Sequence, residues 1–281
     1  MSRPDEHSGS VRVGVVIPHY NNPRALLRAV ESVRGQTLPP SGIVIVDDAS
    51  TTSESHAMLD DLEADPRGGI QVLRFHRNRG PSAARNAGWD RLDTDYVAFL
   101  DSDDTWDRRK LEVQIAAMRD GSAEVSAHRC EVIGSRGGKR DLAPERPITR
   151  VRTRDLLFKS RFSTPSVIVT SKVVERFPED MRYCEDLDLW LRLAASYDGI
   201  LLLPQTLGYL HKAAFGAAGL SADLEAMEEG QRVALRRCRE RGDVTESTYR
   251  LAVLFGRIRY VRRIALARVR GRAQRSPRNA R

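Results

Sequence analysis

Short apolar runs that stop abruptly at polar or acidic residues recur along the first hundred positions. Val11 to Ile17 stops at Pro18-His19-Tyr20-Asn21-Asn22, Ile43 to Val46 at Asp47-Asp48-Ala49-Ser50, and Tyr96 to Leu100 at Asp101-Ser102-Asp103-Asp104. Runs of this length, bounded by polar residues, predict core strands of a parallel sheet. Between the first two, Leu26, Leu27, Val30 and Val33 recur at helical spacing, and Gly35 supplies a stop. A second helix is expected around Glu54 to Ala64, with Met58, Leu59 and Leu62 on one face, followed by a strand from Ile70 to Phe75. A third, Ser82 to Asp90, leads into the acidic strand. Such alternation implies an α/β fold: a mostly parallel sheet with helices on both faces.

In open α/β sheets, ligands bind beyond the carboxyl ends of the strands. Three strands here end in ligand-capable residues. Asp101 and Asp103, two apart, point the same way while strand geometry continues, and oxygen donors suit a hard divalent ion such as Mg2+ or Mn2+. The competing reading is a solvated acidic turn, with Ser102 or Asp104 capping a helix expected to begin near Trp106. Further on, Leu187, Trp190, Leu191 and Ala194 share a helical face, which puts Glu185 and Asp186 in a helix's first turn. Acidic residues are favoured there by the helix dipole alone. Trp190 reads as core.

Five blocks, Val-Val-Ile-Pro-His-Tyr-Asn-Asn (15 to 22), Val-Asp-Asp-Ala-Ser (46 to 50), Asn-Arg-Gly-Pro-Ser-Ala-Ala-Arg-Asn-Ala-Gly (78 to 88), Phe-Leu-Asp-Ser-Asp-Asp (99 to 104) and Glu-Asp-Leu-Asp-Leu-Trp-Leu-Arg-Leu (185 to 193), resemble glycosyltransferase family 2 in content and order. The resemblance covers about Val11 to His211. It implies a GT-A fold (a Rossmann-like sheet), a nucleotide-sugar donor, a divalent metal and inversion at the anomeric carbon. It assigns residues 11 to 105 to a nucleotide-sugar-binding half and 106 to 215 to an acceptor half.

By the same resemblance, Pro18 and Tyr20 line the base pocket, Asp47 and Asp48 read ribose and base, and Arg85 and Asn86 meet the donor phosphates, with Ser102 also on the donor side. Arg77 and Arg79 are weaker phosphate candidates. Asp103 binds the metal, and Asp101 binds ribose or supports the metal. Asp186 is the general base, with Glu185 orienting it or touching acceptor hydroxyls. His211, in Gly208-Tyr209-Leu210-His211-Lys212, is a further metal candidate and Lys212 a phosphate candidate. The Ala/Gly-rich stretch 213 to 219 reads as a lid, and Gly134 to Arg150 as a loop or hairpin on the acceptor side. The implied activity is non-processive transfer of one sugar, from a UDP-sugar first among donors, to an acceptor hydroxyl. A lipid-linked saccharide or cell-envelope precursor is one candidate acceptor. The competing class is a non-catalytic nucleotide or glycan binder recruited to a membrane.

Charge changes the picture only at the end of the chain. The 281 residues carry a net +8, yet residues 251 to 281 hold ten Arg and no acid, which leaves the rest at −2. Leu251, Leu254, Phe255, Ile258, Val261, Ala265 and Val269 fall on one helical face, interrupted by Arg262. This predicts a basic amphipathic helix that docks on the body, contacts an anionic membrane, or both. A helical extension is expected over 216 to 270, a disordered basic tail over 271 to 281, and a disordered N-terminus over 1 to 10. Nucleic acid ranks last as a partner, because no aromatic residues are interleaved with Arg272 to Arg281.

Cys130, Cys184 and Cys238 are widely spaced, which indicates neither a disulfide framework nor a zinc site. With no run of ~20 apolar residues and no apolar leader, the expected location is cytoplasmic, with peripheral contact on the inner face of the membrane. The Gln-x-x-Arg-Trp block of processive synthases is missing, since none of Trp89, Trp106 and Trp190 follows an Arg. The Gly-rich loop of a dinucleotide binder is also missing after the first strand.

Overall fold

The computed structural model describes residues 11–133, 147–159, 161–211 and 223–274. The four strands and three helices of the N-terminal half appear where the hydrophobic pattern puts them: β1 (Val13–His19), α1 (Pro23–Arg34), β2 (Gly42–Asp47), α2 (Ser53–Glu63), β3 (Ile70–Arg74), α3 (Pro81–Asp90) and β4 (Tyr96–Phe99). These strands pair in parallel in the order β3-β2-β1-β4. The register His19↔Asp47 lines up the polar ends of β1 and β2.

Beyond β4 the sheet becomes mixed. After β5 (Thr105–Trp106), α4 (Lys110–Asp120) and β6 (Val125–Val132) come β7 (Thr149–Val151), α5 (Thr153–Phe158), a single 3-10 turn at Thr164–Ser166 and β8 (Ile168–Thr170). Then follow α6 (Glu185–Ser196), β9 (Ile200–Leu210), α7 (Leu224–Glu240) and α8 (Glu246–Gln274). The full order is β3-β2-β1-β4-β8-β6-β9-β5, with β7 on β9. Strand β8 is antiparallel to β4 and β6, β5 and β7 are antiparallel to β9, and β6 and β9 are parallel.

Side chains alternate across the sheet and build two cores. Val13, Val15 and Ile17 face one side, with Leu26, Val30 and Val33 of α1, Leu59 of α2 and Leu111, Ile115 and Met118 of α4. Val16, Val97 and Phe99 face the other, with Trp89 of α3, Leu189 and Trp190 of α6, Ala234 of α7 and Ala252 of α8. Trp190 is a core residue, edge-on to Phe177 at 5.7 Å. The helix expected near Trp106 begins only at Lys110. Trp106 lies in β5, where its indole N–H donates to the Pro165 carbonyl at 2.7 Å.

The C-terminal helices are part of the same body. Gly230 of α7 packs directly on the Tyr183 backbone, and a Cβ there would lie 2.5 Å from the Tyr183 carbonyl oxygen. Helix α8 runs to Gln274, past the expected end at 270. Little of its expected apolar face meets the body: Leu251, Leu254 and Ile258 are exposed and Phe255, also exposed, touches the Phe158 ring, while Ala252 is buried. Of the tail expected as disordered over 271 to 281, residues 271 to 274 continue α8; the rest of it, the N-terminus 1 to 10 and the expected lid with Lys212 lie outside the described residues. So does most of the loop expected from Gly134, whose far end forms β7.

Candidate functional site

The ends of β1, β2 and β4 and the start of α6 bring the residues of the candidate site together. Backbone conformation marks its edges: of five non-glycine residues with positive φ among the described residues, Asn21, Ala49 and Cys184 each immediately follow or precede one of these segments or lie two residues beyond it. Non-glycine residues held at positive φ tend to cluster at such sites. Asn21 braces the loop after β2, its side-chain oxygen accepting from the amides of Thr51 (2.8 Å) and Thr52 (3.3 Å).

At the end of β2, Asp47 accepts from the Ser50 amide at 3.1 Å. Asp48 accepts from the amides of Arg79 (2.6 Å) and Gly80 (2.9 Å), and its carbonyl takes the Asn78 side-chain amide. Gly80, at φ 86, makes the turn that leads into Pro81 and α3. Burial raises the Asp48 carboxyl above its ordinary value, against those two backbone hydrogen bonds. The expected base reader thus also anchors the 78–80 loop. Tyr20 stands 48% exposed beside these residues in sequence, with its ring available for stacking, and Pro18 is half-buried in β1.

The centre is built around Arg85 on α3. Its side chain is 7% exposed, and it donates to Asp101 at 2.7 Å and to Glu185 at 3.2 Å. Its guanidinium also lies 5.2 Å from the Phe177 ring centre. The expected donor-phosphate contact is therefore paired with two carboxylates. Asn86, expected beside it, has partners of its own. Its side chain donates to the Phe177 carbonyl (2.8 Å) and Glu179 (3.2 Å) and accepts from the Phe177 amide (2.9 Å), so it clasps the segment ahead of α6. Arg79 pairs with the same Glu179 at 2.9 Å.

Glu185 and Asp186 occupy the first turn of α6, as their sequence predicts. Both carboxyls are pushed up, chiefly by burial. Asp186 then adds to the rise at Glu185, and Asp101 to the rise at Asp186, while Arg85 opposes both. Glu185 reaches about 7. Glu185 is ion-paired to Arg85; Asp186 is half-buried and accepts from the Leu187 amide at 2.8 Å. Cys184, at φ 54, starts the helix and donates its S–H to the Met227 carbonyl of α7.

Asp101, Ser102, Asp103 and Asp104 form a turn, closed by the Asp104 amide on the Asp101 carbonyl at 3.0 Å. Asp104 does not cap a helix. Instead it accepts from the His211 amide at 3.1 Å, and the pairing of β5 with β9 sets the His211 ring 2.9 Å from the Thr105 hydroxyl. Burial holds His211 below its ordinary pKa. Arg28 on α1 adds to this and Asp103 opposes it, so both charges act on His211 at this edge of the site. Arg28 carries no signal in the sequence, because only tertiary packing brings α1 to this edge.

Among the described residues, no group of three or more His, Cys, Asp or Glu side chains is placed to hold a metal ion. The carboxylate oxygens at the end of β4 suit a hard cation that takes one or two protein ligands and fills its sphere from phosphate and water. They do not suit one that needs a protein cage.

A sequence model described as Glycosyl transferase family 2 matches residues 14–179. An uncharacterized glycosyltransferase of Rickettsia felis is 30% identical over 187 residues, 66% of this chain and 30% of the relative, so the chain spans under a third of that relative's length. Among solved structures, S. aureus TarS 1-349 in complex with UDP-GlcNAc has a TM-score of 0.68 at 19% identity, covering 86% of this chain and 70% of that one. A mannosyltransferase from Pyrobaculum calidifontis in complex with GDP-Man and Mn2+ has a TM-score of 0.66 at 16% identity, covering 92% and 76%. These likenesses show a GT-A fold. The family match ends six positions before Glu185.

Proposed function

The chain belongs to glycosyl transferase family 2, and from that premise we propose that it transfers one sugar from a nucleotide-diphospho-sugar, a UDP-sugar first among candidates, to an acceptor hydroxyl with inversion. The observation that carries this reading is the buried Arg85, which bridges Asp101 at the end of the donor strand and Glu185 at the start of α6. Donor groups and candidate base thereby share one centre.

In this reading the nucleoside sits over the ends of β1 and β2, against Tyr20, Asp47 and Asp48. Asp103 is the carboxylate offered to a divalent cation, with Asp101 and His211 beside it; when bound, Mn2+ or Mg2+ would neutralise charge on the pyrophosphate. Asp186 accepts the proton of the acceptor hydroxyl as its oxygen forms a bond to the anomeric carbon. The bond from that carbon to the diphosphate breaks, and its electron pair leaves with the nucleoside diphosphate. A single displacement inverts the centre. Glu185 is held by Arg85, which leaves the proton to Asp186, and the raised pKa of the pair makes it a stronger base than a solvated carboxylate.

Thermal shift with UDP, dTDP and GDP, each with and without Mn2+, tests the donor half. One nucleotide should stabilise the protein only with Mn2+ present, and Asp103→Asn should remove that stabilisation. Asp186→Asn should keep the shift and lose transfer. Full transfer by Asp186→Asn would overturn the base assignment, and no shift with any nucleotide would favour a non-catalytic protein.

A further inference from the structure

Helix α8 is apolar on two faces. One face packs on the body: Ala252 is buried, Tyr249 and Val253 pack on the same core, and Gly256 faces Glu228 and Gln231 of α7. Arg259 donates to the Phe158 carbonyl at 3.0 Å and to Gln231 at 2.7 Å, which fixes the helix's rotation. On the opposite side, Leu251, Leu254, Phe255 and Ile258 are 57%, 56%, 45% and 60% exposed. Their i, i+3, i+4, i+7 spacing makes a continuous stripe. Phe255 also meets the Phe158 ring edge-on at 5.8 Å, which ties the stripe to the body.

We propose that this stripe seats the protein on an anionic lipid surface. The occupant follows from charge: residues 251 to 281 hold ten arginines and no acid, and Arg257 and Arg262 are exposed beside the stripe. A helix that buries an apolar stripe among acyl chains while arginines reach the headgroups has the two contacts stable interfacial binding requires. A second copy would set the exposed Arg257 and Arg262 against the same pair, with no acid in residues 251 to 281 to compensate them. A nucleic acid would match the charge but leave Leu251, Leu254 and Ile258 in water. The inference is independent of the transfer reading, since no residue of the candidate site lies on α8.

Flotation of the full chain with phosphatidylcholine vesicles, with and without phosphatidylglycerol, tests it. Binding should require phosphatidylglycerol. Replacing Leu254→Gln together with Ile258→Gln should weaken it on the order of tenfold. Arg257→Gln with Arg262→Gln should weaken it comparably, as should salt near 1 M, where screening shortens to about 3 Å. Melting temperatures equal to the parent's show that both variants fold. Failure to float with phosphatidylglycerol overturns the proposal, as does undiminished binding by the Leu254/Ile258 variant, which would leave the arginines as a solvated tail. A dimer in solution that the same pair of substitutions abolishes would also overturn it and assign the stripe to a second copy.

Discussion

A guanidinium with 7% of its side chain exposed, paired with carboxylates from two different elements, holds the site in a defined charge state. Removing it leaves the Asp101 and Glu185 charges uncompensated, and breaking a buried pair from one side costs about 3–5 kcal/mol. The cost at Glu185 depends on pH. Its carboxyl already lies above the ordinary value in the folded state, and loss of Arg85, which lowers it, raises it further. A group whose folded pKa exceeds its unfolded one binds more protons when folded, so stability falls as pH climbs from the unfolded value through the folded one. Arg85→Met should therefore be destabilised most above neutrality and recover in part on acidification, read by urea melts at about pH 5 and about pH 8. An equal deficit at both would show that Glu185 does not take up the charge. The acidic residues themselves were legible from strand ends and helix starts. Their partners were not: a sequence shows that Arg85 follows a turn, not that 16 and 100 residues later its two carboxylates await it. The same limit hid Lys110, fully buried with its Nζ 3.7 Å from the Trp106 ring centre.

At the scale of elements, the turn that presents Glu185 and Asp186 is held from behind by α7. Cys184 is in the left-handed region, its thiol on Met227, and the Tyr183 backbone lies against Gly230, where a Cβ would come within 2.5 Å of a carbonyl oxygen. Backbone on backbone leaves nothing flexible to yield. Gly230→Val should displace the start of α6, cost about 1–3 kcal/mol and lower the melting temperature by roughly 2–10 °C. Turnover should fall more than donor affinity does, because the nucleotide pocket proposed on β1 and β2 is built from other elements. A normal kcat would show that α7 can give way without moving the base. The strands and helices through β4 were readable to within a residue or two, since each carries a full period of the pattern. Strands β5, β7 and β8 have two or three residues, too few to show a period, so the antiparallel half of the sheet was unreadable. Reading Trp106 as the start of a helix failed for that reason: a two-residue strand looks like the approach to α4.

Across the whole molecule, the face of the sheet below the site is one continuous core from Val16 and Phe99 through Leu189 and Trp190 to Ala234 and Ala252. The hydrophobic pattern identified α8 as amphipathic but pointed to the stripe that stays exposed; the contact with the body centres on Ala252 and Gly256, which carry little weight in such a pattern, flanked by Tyr249, Val253 and Arg259. The resulting chain of support runs from α8 to α7 and α5, from α7 to Tyr183 and Cys184, and from there to Glu185 and Asp186. The proposed nucleotide pocket lies outside that chain, on β1 and β2 and the 78–80 loop. Ending the protein after Thr245 should therefore lower its melting temperature and its kcat while leaving the donor KM and the nucleotide-induced thermal shift near the parent's. Such a split is informative because a general loss of folding would reduce donor binding and turnover together. If donor affinity falls in step with kcat, α8 supports the fold as a whole and not the base. If neither changes, the core reached by Ala252 is dispensable, and the role of α8 lies entirely in its outward face.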